Sequence, residues 1–413
     1  MQLSIRRGAL RHRDYSLFFF GQLVSLVGSW MQTVGQSWLI LKMTDSPFKL
    51  GFISMLQFLP MLLLSLFAGA LIDRLPKKKL IIGTQTVFMI LAFVLAALVW
   101  TNRVQYWHVA VLALLLGLFN TLDMPARQSF IVEMVGREDL GSAVALNSAM
   151  FNGARIVGPA VAGLMIAKYG IASAFLINGL SFVAVIISLF AIKAEGLPKP
   201  HQRVSMLTQI GEGLRYTLQT PVVTFALGLL LAVGLFVINW SVLIPLLAKN
   251  VLHQDSQGYG VLMSVMGAGS LLGALLMAAQ GSKPAPLKMI VHMAIGLCVF
   301  TMSVFFIHQF WVACAALFVM GFTMIRCLTG VNTSLQMTAP DEMRGRVMSL
   351  YVLANAGVTP LGSLYTGTVS QVFGPSYGFL AAGGTGLVAV VGLLIWWAAL
   401  RRRQPQALLP EAL

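Results

Sequence analysis

Gly69-Ala70-Leu71-Ile72-Asp73-Arg74-Leu75-Pro76-Lys77-Lys78-Lys79 closes an apolar run that begins near residue 50. A run of about 20 apolar residues is long enough to cross the hydrocarbon core of a bilayer as a helix. The switch to Asp-Arg and then to three lysines marks its exit. Positive charge in a short loop resists translocation, so this loop belongs on the cytoplasmic side. Gly69 lets a neighbouring helix approach closely, and Asp73 stands where it can meet a helix N-terminus and an arginine of another span.

Working outward, the same alternation fills the chain. Of its 413 residues 58% are hydrophobic and only 10% charged. The mean hydropathy is +0.83. Twelve spans of about 20 residues would use roughly 240 positions, which leaves little room for a soluble enzyme domain of ordinary size. Apolar runs read as spans near 15–40, 50–72, 80–100, 107–125, 142–167 and 171–192, then near 221–248, 258–280, 289–307, 310–334, 347–370 and 377–400. The fold class expected is an all-α membrane protein of twelve helices in two pseudo-symmetric six-helix halves. Residues 1–192 would form the first half and 221–413 the second, with a short tail. Residues 193–220 are polar and read as a cytoplasmic linker ending in a surface helix.

Net charge of +15 and a pI near 10.1 would suggest nucleic acid in a soluble chain, but here the charge follows topology. With the N-terminus and alternate loops counted as inside, 21 lysines and arginines fall on that side and five on the other. Both termini are therefore expected in the cytoplasm, with the first span retained rather than cleaved. Cys298, Cys314 and Cys327 lie inside apolar runs and read as core residues, not as a disulfide framework or metal cluster.

The halves look like copies. Gly69-Ala70-Leu71 after the second span recurs as Gly273-Ala274-Leu275 after the eighth, an offset of 204 residues. Parallel repeats of six spans put a substrate site at their interface near mid-membrane, the plan of a secondary transporter.

The loop after the second span resembles the loop signature of the major facilitator superfamily. That resemblance implies a gating role for Gly69, Asp73, Arg74, Lys77, Lys78 and Arg127. Pro76 stands where a glycine is common, and Met277-Ala278-Ala279-Gln280 has lost the Asp-Arg pair. In the fifth span, Gly153, Arg155, Gly158, Pro159 and Gly163 are similar to the superfamily's antiporter signature. Proline frees a carbonyl and bends the helix, while glycines smooth one face. Asn120-Thr-Leu-Asp123-Met-Pro125-Ala-Arg127, Asn332-Thr-Ser-Leu-Gln336, Arg344-Gly-Arg346-Val-Met-Ser-Leu-Tyr351 and Gly28-Ser29-Trp30-Met31-Gln32 together resemble the bacterial exporters of the enterobactin-exporter, or transmembrane secretion effector, type.

Polar residues in lipid-facing helices are costly, so polar stripes at helical spacing should face a cavity or another helix. Gln22, Ser25, Ser29, Gln32 and Gln36 form such a stripe in the first span. Thr323, Arg326, Thr333 and Gln336 form one in the tenth, and Asn120, Asp123 and Arg127 one in the fourth. The resemblance implies that spans 1, 4, 7 and 10 line the central cavity. Arg326 has no acid within a turn; it can meet an anionic substrate group or pair with Asp123. Asp123 is either a proton carrier or half of an end-of-helix salt bridge with Arg127. Arg155 divides between helix packing and function.

The reading is an inner-membrane exporter of an amphipathic small molecule, siderophore-like or drug-like, working by alternating access as a monomer in the lipid bilayer. Protons are the candidate coupling ion, although the absence of an acid in the first span argues against them. No cofactor, metal or nucleic acid is expected, and no nucleophile, base and orienting group converge for an enzyme. Alternatives are a lysophospholipid transporter with a headgroup site around Arg155 and Arg326, and a non-transporting sensor or assembly partner.

Overall fold

The computed structural model of the chain describes residues 8–72, 74–136, 138–197, 206–280 and 286–403. Among them, twelve helices are long and apolar enough to cross a membrane. In chain order these are α1 (Arg13–Thr44), α2 (Pro47–Ile72), α3 (Lys77–Trp100), α4 (Tyr106–Val135), α5 (Leu140–Tyr169) and α6 (Ala172–Ala191). An amphipathic helix, α7 (Met206–Gln219), follows. The remaining spans are α8 (Pro221–Val251), α9 (Ser256–Ala279), α10 (Leu287–Phe306), α11 (Phe310–Thr338), α12 (Glu342–Phe373) and α13 (Pro375–Arg403). This is the expected all-α fold of twelve transmembrane helices.

The helices end where the sequence supplies breakers. Gly136, Gly170 and Gly374 take positive φ after α4, α5 and α12, a conformation that carries little steric penalty in glycine. Within α8 the helix widens into π turns at Val233–Val237 and Leu247–Val251, around a segment that contains Pro245.

The residues form two compact units. The first is built within Met1–Asp45, Leu59–Gln202 and Gln254–Ser264; the second within Ser46–Phe58, Arg203–His253 and Val265–Leu413. In the first, Tyr15, Phe18, Ile81, Phe130 and Leu189 form a buried cluster. Its organising feature is the seam between α1 and α6. A Cβ at Gly21, Gly28 or Gly35 would run into Ser188, Ser181 or Ala174 respectively. Both rows repeat every seven residues, so α1 lies against α6 along its length.

Each unit also contains a crossing of two glycines. In the first, a Cβ on Gly260 of α9 would meet the Pro159 carbonyl and Gly163 of α5. In the second, a Cβ on Gly51 of α2 would meet Ser363 and Gly367 of α12. Gly51 and Gly260 are 209 residues apart, Gly163 and Gly367 204, so the internal repeat extends to helix contacts.

Candidate functional site

Asp123 is 3% exposed. Its Oδ2 accepts from Arg127 Nε at 2.5 Å, one turn along α4. Its Oδ1 accepts from Thr84 Oγ1 at 2.5 Å and Gln85 Nε2 at 3.0 Å, both on α3. Both carboxylate oxygens are thus engaged within the first unit. Asn120, on the same helix, is exposed. Thr84 and Gln85 escaped the sequence reading. The signal was the polar triplet Thr84-Gln85-Thr86 inside an otherwise apolar run.

Around the loop that opens the sequence, Lys77 is 2% exposed and pairs with Glu133 at the end of α4. Its backbone N–H donates to the Gly196 carbonyl at 2.8 Å, and Lys78 Nζ donates to the Ile192 carbonyl at 2.6 Å. These bonds tie the start of α3 to the segment leaving α6. Gly196 has φ +66 there, and a Cβ on it would press on Lys77 and Phe130. Arg74 is exposed. Gly69 lies in the last turns of α2, and Asp73 lies outside the described residues.

The α1 stripe divides. Ser25 and Gln32, 1% and 7% exposed, interleave with the glycines of the α6 seam, and Gln32 Oε1 accepts from Asn178 Nδ2 at 2.5 Å. Ser29 bonds back to the Ser25 carbonyl at 2.9 Å. Gln22 and Ser29 are half-buried on the flank, and among the described residues the Gln22 Oε1 has no partner. Gln36 is buried.

On α5, a Cβ at Gly158 would strike Trp30 and the Val27 carbonyl of α1, and one at Gly163 would strike Ser256 and Gln257. Gly153 faces open space. Pro159 lacks the N–H that would bond the Arg155 carbonyl. Arg155 is 8% exposed and lies 5.8 Å from the centre of the Trp30 ring.

In the second unit, Arg326 of α11 is half-buried. Its Nη2 donates to Met289 Sδ at 3.0 Å, its guanidinium lies 5.4 Å from the Phe322 ring centre, and its Nε is buried without a partner. It pairs with no carboxylate among the described residues. Thr333 is half-buried one turn before the exposed Gln336, whose amide bonds Asn332 at 2.6 Å.

The N-terminal end of α1 carries a cluster that the sequence reading did not find. Asp139 accepts from Arg11 at 2.9 Å and lies 2.7 Å from the His12 ring. The bond to His12, then the charge of Arg11, hold its carboxyl below the usual carboxylate range.

The family model of the transmembrane secretion effectors matches residues 7–412. The chain belongs to the transmembrane secretion effector family. Among the relatives of this chain are the multidrug efflux pump Tap of Mycolicibacterium fortuitum and the staphyloferrin A transporter of Staphylococcus aureus. Tap is 29% identical over 88% of this chain and 91% of its own. The staphyloferrin A transporter is 24% identical over 86% and 89%. In fold the chain is similar to the nucleoside transporter NupG, with a TM-score of 0.73 at 13% identity over 94% of this chain and 99% of that one. It is similarly close to a bacterial homologue of the lysosomal transporter Spinster, with a TM-score of 0.71 at 14% identity over 94% and 96%. The protein is a membrane transporter of small molecules, not an enzyme, with twelve spans among the described residues.

Proposed function

We propose that this protein exports an amphipathic small molecule, siderophore-like or drug-like, across the bacterial inner membrane by alternating access of its two six-helix halves. The observation that carries the reading is Arg326, a cation inside a span that has, among the described residues, no carboxylate partner and a buried Nε without an acceptor. Ionisable groups at membrane depth are costly and are kept for function. An anionic group of the cargo supplies the missing partner, and Phe322 beside the guanidinium suits a flat or apolar body. The multidrug efflux pump among the relatives supports export, and the staphyloferrin A transporter supports a siderophore-like cargo.

Asp123 is the candidate coupling residue in this reading. Its protonation would weaken the ion pair with Arg127, while Asp73, Arg74, Lys77 and Lys78 form the gating stretch. The bias of lysine and arginine supports cytoplasmic termini.

The test is proton flux in proteoliposomes under an imposed pH gradient, with a catecholate siderophore, a macrolide, a lipophilic cation and a lysophospholipid as challengers. Gradient collapse with one compound, lost in Asp123→Asn and weakened in Arg326→Ala, is the expected result. Silence across the panel from folded protein overturns proton-coupled export, and a response to lysophospholipid alone turns the reading to lipid transport.

A further inference from the structure

Arg155 is the most enclosed cation of the spans that lacks a counter-charge. It is 8% exposed, forms no ion pair or hydrogen bond among the described residues, and has a buried, unpartnered Nε. Asp123, the buried acid of the neighbouring spans, has both oxygens occupied by Arg127, Thr84 and Gln85. The Arg155 guanidinium lies 5.8 Å from the centre of the Trp30 ring. A ring face returns only part of the hydration that a buried guanidinium loses.

The surroundings are built rather than incidental. Gly158 lets the Trp30 backbone come against α5. The Trp30 ring packs edge-on against Phe151 at 5.8 Å, and Phe151 is 47% exposed. Along α5, Gly141, Val144, Ser148 and Phe151 are all exposed at spacings of three and four. Arg155 is the next residue on that face. An open strip of the helix therefore runs through the exposed Phe151 to the half-buried Trp30 and the buried Arg155 guanidinium.

We propose that Arg155, with Trp30 and Phe151, is an anion-recognising subsite of the first unit. It takes an oxyanion, carboxylate or phosphate, carried on a flat or acyl body. The oxyanion accepts from the guanidinium, whose fork matches such groups, and the body lies on the rings. Two sources share that chemistry, the exported solute and an anionic lipid headgroup. This subsite rests on the export reading and, with the solute as its ligand, gives the cargo's anionic group a recognition site in the first unit.

The test uses the full chain in phosphatidylcholine nanodiscs with pyrenebutyrate as probe and its uncharged methyl ester as control, both followed by pyrene anisotropy. Wild-type protein is expected to prefer the acid by about tenfold, the scale of a charge-assisted hydrogen bond. Arg155→Gln should bring the acid to the affinity of the ester and leave the ester unchanged, while Arg155→Lys keeps part of the preference. Trp30→Leu should weaken both probes. Equal binding of acid and ester by wild type, or a preference that survives Arg155→Gln, overturns the subsite. If Arg155→Gln does not fold, Arg155→Lys and Trp30→Leu decide it, and acid binding unaltered in both overturns the proposal.

Competition by citrate assigns the subsite to a solute, and competition by lysophosphatidylglycerol assigns it to a lipid headgroup. Export fails separately. Arg155-dependent binding without efflux of any panel compound removes the export reading alone, whereas efflux whose charge preference ignores Arg155 removes the subsite alone.

Discussion

Gln32 of α1 and Asn178 of α6 join amide to amide at 2.5 Å, between spans 146 residues apart in sequence. The bond sits in the row where Gly28 faces Ser181. Packing of this kind substitutes for the hydrophobic drive that a bilayer cannot provide between helices.

Gly28→Val should therefore destabilise the purified protein by about 1–3 kcal/mol, the usual penalty of overpacking. Gly153→Ala should be neutral or stabilising by up to about 1 kcal/mol, because its Cβ meets nothing within 4 Å and alanine is the better helix former. Unfolding in mixed micelles distinguishes the two. Equal losses would mean that the seam is not the tight contact.

Asp123→Asn should leave Arg127, 13% exposed, without its counter-charge and lower stability by about 3 kcal/mol. The double variant Asp123→Asn, Arg127→Gln should recover most of that loss. Proton-coupled flux in the double variant then separates roles. A folded but uncoupled protein makes Asp123 the carrier, and retained coupling makes the pair structural.

Lys77→Met should cost about 2 kcal/mol, since Glu133 at 19% side-chain exposure keeps some hydration. Replacing both by Met and Leu should restore stability, because well-packed apolar pairs substitute for buried ion pairs. Denaturation midpoints of the single and double variants measure this directly.

Asp139 gives a pH test. Its carboxyl is held low by His12 and Arg11, so the stability it adds is present above the unfolded value of about 3.9 and is lost as pH falls through the lower folded value. The difference in melting temperature between wild type and Asp139→Asn should shrink below about pH 4. A difference that grows there would reverse the assignment.

All twelve spans were legible in the sequence, because length and apolarity alone decide whether a helix crosses a bilayer. Which way a polar residue points was not. Ser25 and Gln32 share helical spacing with Gln22 and Ser29, yet the glycines at 21, 28 and 35 turn the first pair into the α6 seam. The seven-residue rows in α1 and α6 were visible, but their match is a property of two helices and not of either one. Asp123 was visible as a buried acid with Arg127 one turn away. Its bonds to Thr84 and Gln85 bridge 39 and 38 residues, and no local pattern announces them. The clasp of Arg11, His12 and Asp139 spans 127 residues or more for the same reason.

The α1 seam also sets a schedule for biogenesis. A ribosome adds about 5–20 residues each second, so some 146 residues take on the order of 10 s, and α1 resides in the membrane for that long before Asn178 is made. Through that interval Gln32 and the glycine row have no α6 to cover them. An insertase or a temporary neighbouring helix that shields α1 until the sixth span arrives would raise the yield of folded protein, and slow codons between α1 and α6 would lower it.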